Sequence, residues 1–65
     1  MHIELNTFLK VKGICSTGGE AKILIREGHV KVNNEVETRN KKKLIEKDKV
    51  EVLNQTFIIE KEILR

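Results

Sequence analysis

Sixty-five residues, 38% of them hydrophobic and none of them proline, suffice for one small folded core and leave too little material for a carved active-site cleft. Thirteen Lys and Arg against ten Asp and Glu give a net charge of +3, and apolar residues spread along the whole length argue against disorder. No apolar run approaches the roughly 20 residues of a membrane span, no signal peptide is visible, and the lone Cys15 permits neither an internal disulfide nor a zinc cluster, so a soluble protein of a reducing cytoplasm is expected.

In chain order, His2 to Leu5 alternate polar and apolar, as a short strand does. Asn6 or Thr7 can then cap a helix whose apolar face is Leu5, Phe8 and Leu9, with Gly13 placed as its terminating glycine. A second helix opens on Ser16-Thr17-Gly18-Gly19-Glu20, buries Ala21, Leu24 and Ile25 at i, i+3 and i+4, and stops at Gly28. Lys22 and Arg26 share another of its faces. Past Gly28 the period drops to two: His29 to Val32, a turn at Asn33-Asn34, and Glu35 to Glu37 make a hairpin. A basic loop runs from Arg39 to Lys43, and Leu44-Ile45 leads into a turn at Glu46-Lys47-Asp48. A last hairpin joins Val50-Glu51-Val52 to Thr56 through Ile59 across Asn54-Gln55. One strand, two helices and four strands predict a single α+β domain over residues 1–65, its two short helices packed on a small, mostly antiparallel sheet.

Charge is segregated along the chain. Five basic and two acidic residues lie between Lys10 and Lys31, and six basic and two acidic between Arg39 and Lys49. Such segregation suggests one basic surface facing a polyanion. Four cations in the five residues from Arg39 to Lys43 cannot pack inward, and phosphates would relieve their mutual repulsion while releasing counterions. At the start of the second helix, Thr17, Gly18 and Gly19 leave backbone N–H groups open to a phosphate oxygen, with Lys12 and Lys22 to add charge.

Nothing in the sequence composes a catalytic group. His2 and His29 lack metal-ligand companions, Ser16 has no relay partner, and Gly18-Gly19 is not a P-loop. Cys15 reads as a small packing residue. No enzyme activity, cofactor, metal or small-molecule substrate is expected. Phe8 and Phe57, the only aromatics, both fall in apolar patterns and read as core, which leaves no platform for stacking bases. Docking on the backbone and shape of a folded RNA is therefore expected. A DNA-binding helix-turn-helix and a protein-interaction module using a sheet edge are the alternatives.

The run from Ser16 to Asn34, S-T-G-G-E-A-K-I-L-I-R-E-G-H-V-K-V-N-N, resembles the alpha-L RNA-binding motif of ribosomal protein S-four and its relatives. The pattern is met at Ala21, Leu24, Ile25, Gly28, Val30, Val32 and Asn33. The stretch from Glu37 to Leu44, with Asp48 ahead of Val50-Glu51-Val52, looks like the family's short stand-alone branch. This resemblance implies RNA contact through Lys12, Thr17, Gly18, Lys22, Lys31, Asn33 and Asn34. Arg26 on the second helix and Arg39, Lys41, Lys42 and Lys43 in the loop complete the candidate set. Structured RNA is the implied partner, ribosomal RNA first and transfer RNA second, with a ribosome-associated or assembly role. Two departures stand out: Gly18 sits where many members carry arginine, and Asn34 where they carry glycine. The basic loop is expected to replace the missing charge, and asparagine to keep the turn.

Overall fold

The computed structural model describes residues 1–64. Strand β1 (Ile3–Glu4) runs directly into helix α1 (Leu5–Val11), and helix α2 (Gly18–Arg26) follows. Then come β2 (Val30–Val32), β3 (Glu35–Val36), β4 (Lys43–Leu44), β5 (Lys49–Val52) and β6 (Gln55–Ile58), with a final 3-10 turn at Lys61–Ile63. The α+β class and the order of the helices agree with the sequence. The described residues hold one strand more than expected after the helices, because Lys43–Leu44 pairs with β1.

Helix α1 starts earlier than its sequence suggests and is capped by neither Asn6 nor Thr7. Glu4 is its N-cap residue and makes no side-chain cap bond. Instead the Leu5 N–H donates to the Lys42 carbonyl at 2.9 Å and the Asn6 N–H to the Asn40 carbonyl at 3.1 Å. A loop more than thirty residues away thereby satisfies donors that a helix start leaves open. Both helices stop on a left-handed glycine, Gly13 at φ 75° and Gly28 at φ 81°. In each case the next N–H reaches back into the helix, from Ile14 to the Leu9 carbonyl and from His29 to the Leu24 carbonyl.

Helix α2 carries its own start signal. The Thr17 hydroxyl accepts from the Glu20 N–H at 3.2 Å, and the Glu20 carboxylate accepts from Thr17 N–H at 3.2 Å and Ser16 N–H at 2.8 Å. This reciprocal cap ties the helix to the preceding loop. Thr17→Ala should cost about 1 kcal/mol and lower Tm by about 4–8 °C for a domain of this size, as a thermal melt followed by circular dichroism would read. Ala21 and Ile25 are fully buried, whereas Leu24, expected with them, is only half-buried at the margin of the core.

Four strands form an antiparallel sheet in the order β3-β2-β5-β6, and β1 with β4 forms a separate antiparallel pair. Val30, Val32, Val50 and Val52 point to the covered face and join Leu5, Phe8, Leu9, Ala21, Ile25 and Leu44 in one core. The alternate residues Lys31, Glu51 and Thr56 line up across the open face. Asn33 and Asn34 adopt φ 51° and 71°, as a tight hairpin turn requires. The last turn falls at Leu53-Asn54 (φ 50° and 63°), one residue before the expected Asn54-Gln55. The register that sets Val50 opposite Phe57 on the covered side leaves only those two residues for the loop. Leu53 consequently takes a backbone conformation that its side chain disfavours, and it stays exposed.

Of the two aromatics, Phe8 is fully buried, but Phe57 is only half-buried at the edge of the core. Their rings meet edge to face, 5.7 Å between centroids at 80°. Cys15 is buried, as its sequence context suggests. Burial first, and the Glu20 carboxylate second, push its thiol above the usual range and away from reactive thiolate.

Candidate nucleic-acid interface

The basic loop is a built surface rather than a loose tether. Its backbone is fastened at three places: the Asn40 and Lys42 carbonyls accept from α1, and the Lys42 N–H donates to the Arg39 carbonyl at 3.3 Å. Lys43 then enters β4 opposite Glu4. Held this way, Lys41 and Lys43 are exposed and Lys42 is half-buried. With Arg39 they line a shallow concave patch, so four predicted residues do come together.

Arg39 is already committed within that patch. Its guanidinium grips the Glu37 carboxylate through two bonds of 2.9 and 3.2 Å, and its backbone N–H makes a third of 2.9 Å. These bonds hold the Glu37 carboxyl below the usual carboxylate range. Because that pKa is depressed, the pair is complete at neutral pH and opens only as pH falls below the range of ordinary carboxylates. The lysines therefore carry the loop's free charge.

At the opening of α2, the structure places a residue that sequence reasoning missed. The Lys10 ammonium stands over Gly18, 4.0 Å from where a Cβ on that glycine would lie. A cation from the last turn of α1 thus lies beside the opening of α2, where the family resemblance implies an arginine in many members. The i, i+8 spacing of Lys10 and Gly18 carries no local signal; only the packing of α1 on α2 brings them together. Lys12, expected beside this opening, turns elsewhere. Its ammonium lies 6.0 Å from the Phe8 ring centroid and 5.9 Å from that of Phe57, in a hollow bordered by Glu60 and Glu62.

The remaining candidates divide by what their polar atoms already do. The Thr17 hydroxyl accepts from the Glu20 N–H in the cap, which leaves its own O–H to donate. Asn33 spends its amide inside the fold, donating to Asp48 at 3.1 Å and accepting from the Lys49 N–H at 2.9 Å, which staples the first hairpin to the β4–β5 turn. Asn34 is exposed at the hairpin tip. Lys22 and Arg26 are exposed on α2, and among the described residues neither meets a carboxylate within salt-bridge distance. Lys31 is exposed on the open sheet face, flanked by Val36 and Glu51.

Helix α1 sets the spacing of the two cationic groups. Its first N–H groups hold the lysine loop, and its last turn delivers Lys10 to α2. At about 1.5 Å of rise per residue, the backbones of Leu5 and Asn6, which hold the loop, lie roughly 6–8 Å along the axis from that of Lys10. No cluster of three or more potential metal ligands occurs among the described residues.

Comparisons with known proteins place the chain in a family. Residues 1–60 match the family model described as S4 domain. Over 44 residues the chain is 48% identical to a protein of Escherichia coli (strain K12) named "Putative RNA-binding protein YbcJ". It is equally similar to a Shigella flexneri protein named "Uncharacterized protein YbcJ". The aligned part is 68% of this chain and 63% of each relative, so the chain spans somewhat under two thirds of those proteins. No solved structure gives a significant match. The family match takes in both helices, all six strands and both cationic groups, and the chain belongs to the S4 domain family.

Proposed function

We propose that this chain is an RNA-binding domain that docks on the phosphate backbone of folded RNA, ribosomal RNA above all, as a ribosome-associated or assembly accessory factor. The observation that carries the reading is the placing of two groups of exposed cations by α1: Lys41 to Lys43 on a loop whose backbone is bonded to its start, and Lys10 in its last turn beside Gly18. A loop backbone already held in place suits a polyanion, because little loop entropy is lost on docking. Family membership and the printed name of the Escherichia coli relative support the same class of partner. Retention of a folded ribosomal RNA fragment and of duplex DNA, compared at matched salt, tests the proposal. Preference for the RNA is expected, and equal or stronger retention of DNA would sink it.

Three substitutions probe the arrangement itself. Lys10→Ala should weaken RNA binding by about three- to tenfold and flatten the salt dependence by roughly 0.7–0.9 of a log unit per log unit. Gly18→Arg in the same chain should restore much of it, since Gly18 does not occupy the left-handed region and its Cβ meets no backbone. Glu37→Gln should do the opposite. Releasing the Arg39 guanidinium from its carboxylate adds one available cation, so affinity rises and the salt dependence steepens by a similar increment. Fluorescence anisotropy across a salt series would measure both.

A further inference from the structure

Strand β6 ends the four-stranded sheet, with β5 on one side and, among the described residues, no strand on the other. From Val52 to Ile59 the chain has no Asp, Glu, Lys or Arg, the longest such run in a sequence that is 35% charged. Its register against β5 is unbroken, so no bulge turns the edge away, and no proline interrupts it. Charges, prolines and bulges are the usual devices that keep an exposed edge from pairing with another chain. The opposite edge is guarded: β3 is two residues long and begins on the exposed Glu35.

Backbone geometry decides which groups β6 offers. The two-residue turn at Leu53-Asn54 makes Val52 and Gln55 a hydrogen-bonded pair, and alternation makes Val50 and Phe57 the next. The Ile59 N–H donates to the Asp48 carbonyl at 2.8 Å, in step with that alternation. The N–H and C=O groups of Thr56 and Ile58 therefore point outward, and among the described residues no turn, loop or cap bond reaches them. Both side chains stand on the open face, with Ile58 52% exposed.

A second copy of the same strand fits this edge. Antiparallel pairing about a two-fold axis at Phe57 sets Thr56 opposite the partner's Ile58, with two backbone bonds, and repeats that pair by symmetry. Phe57, half-buried at the sheet edge, then meets its own counterpart on the covered face. Farther out, Gln55 faces the partner's Ile59 and Asn54 the partner's Glu60, so no like charges oppose each other. The same operation at β3, about Val36, would set Glu35 against the partner's Glu37.

We propose that two copies of this chain pair through β6 into one continuous antiparallel sheet. The pairing is independent of the RNA reading, since no residue of β6 belongs to the cationic groups. A contact of one four-residue strand falls short of the roughly 1,200 Å² of a stable complex, so the dimer should be weak and dissociate on dilution. Sedimentation equilibrium from micromolar to millimolar protein should show the mass rising toward two chains. Because each copy carries a net charge of +3, added salt should strengthen the association, opposite to its effect on RNA binding. Over the same concentrations, the Thr56 and Ile58 amides should become protected from hydrogen exchange. Thr56→Lys keeps the fold, because Glu51 lies opposite on β5, but symmetry places the new charge in the contact twice. It should weaken association by about tenfold or more, with the melting temperature of dilute protein unchanged. A one-chain mass at millimolar protein would overturn the proposal and leave the edge to a strand of a different protein or to none. So would association that leaves the Thr56 and Ile58 amides unprotected, or that Thr56→Lys does not weaken.

Discussion

Replacing the free cations of the loop, as Lys41→Glu and Lys42→Glu with Lys43→Gln, should lower affinity for folded RNA by on the order of a hundredfold or more at low salt. The loop's folding role is carried by backbone groups, the Asn40 and Lys42 carbonyls that accept from α1, so its shape should outlast the change of side chains. Glutamine is chosen at position 43 because Lys43 pairs directly with Glu4, where a second carboxylate would be repelled across the strands. Circular dichroism should be unchanged while binding collapses. The salt dependence should flatten by roughly 0.7–0.9 for each phosphate that is no longer neutralised, which separates a damaged interface from a damaged fold. Unchanged affinity would show that RNA meets another face.

Phe8→Ala should have the largest effect on stability. Phe8 is fully buried between the helices and the sheet, and it braces Phe57 edge to face. Truncating such a residue costs about 3–5 kcal/mol. A chain of this length has a total stability of only about 3–10 kcal/mol, at 0.05–0.15 per residue. The variant should therefore lose about a third or more of the chain's stability, and all of it at the lower end of that range, with its urea midpoint moved far down. Phe57→Leu, at the half-exposed partner, should cost much less. A Phe8→Ala protein that kept its urea midpoint would contradict the core described above.

Much of the fold is legible because its signals are local. The Ala21 and Ile25 spacing marks α2, Thr17 and Glu20 mark its start, and Gly13 and Gly28 mark the helix ends. The alternating valines of β2 and β5 name their buried face without reference to any partner. Elements that depend on a remote partner are invisible at this level. Strand β4 is two residues long, too short to show alternation, and it exists because β1 offers it an edge. The start of α1 is misread for the same reason, since its cap comes from the backbone of Asn40 and Lys42 rather than from a nearby side chain.

The candidate site divides along the same line. Density of charge shows in any window of five residues, so Lys41, Lys42 and Lys43 are found from the sequence. Which polar groups remain free depends on their neighbours in space: Arg39 is held by Glu37, Lys12 turns to the aromatic pair, and the Asn33 amide bonds to Asp48 and Lys49.

The place of α2, the glycine stops of both helices, the family resemblance and the charge pattern were decided by the sequence alone, because each follows from local periodicity or composition. The tertiary structure alone decided that Lys10 lies beside Gly18 and that the start of α1 holds the lysine loop. Side chains distant along the chain acquire their neighbours only when the helices dock on each other and on the sheet. That docking is set by the buried face of every element at once, and no single stretch of residues contains it.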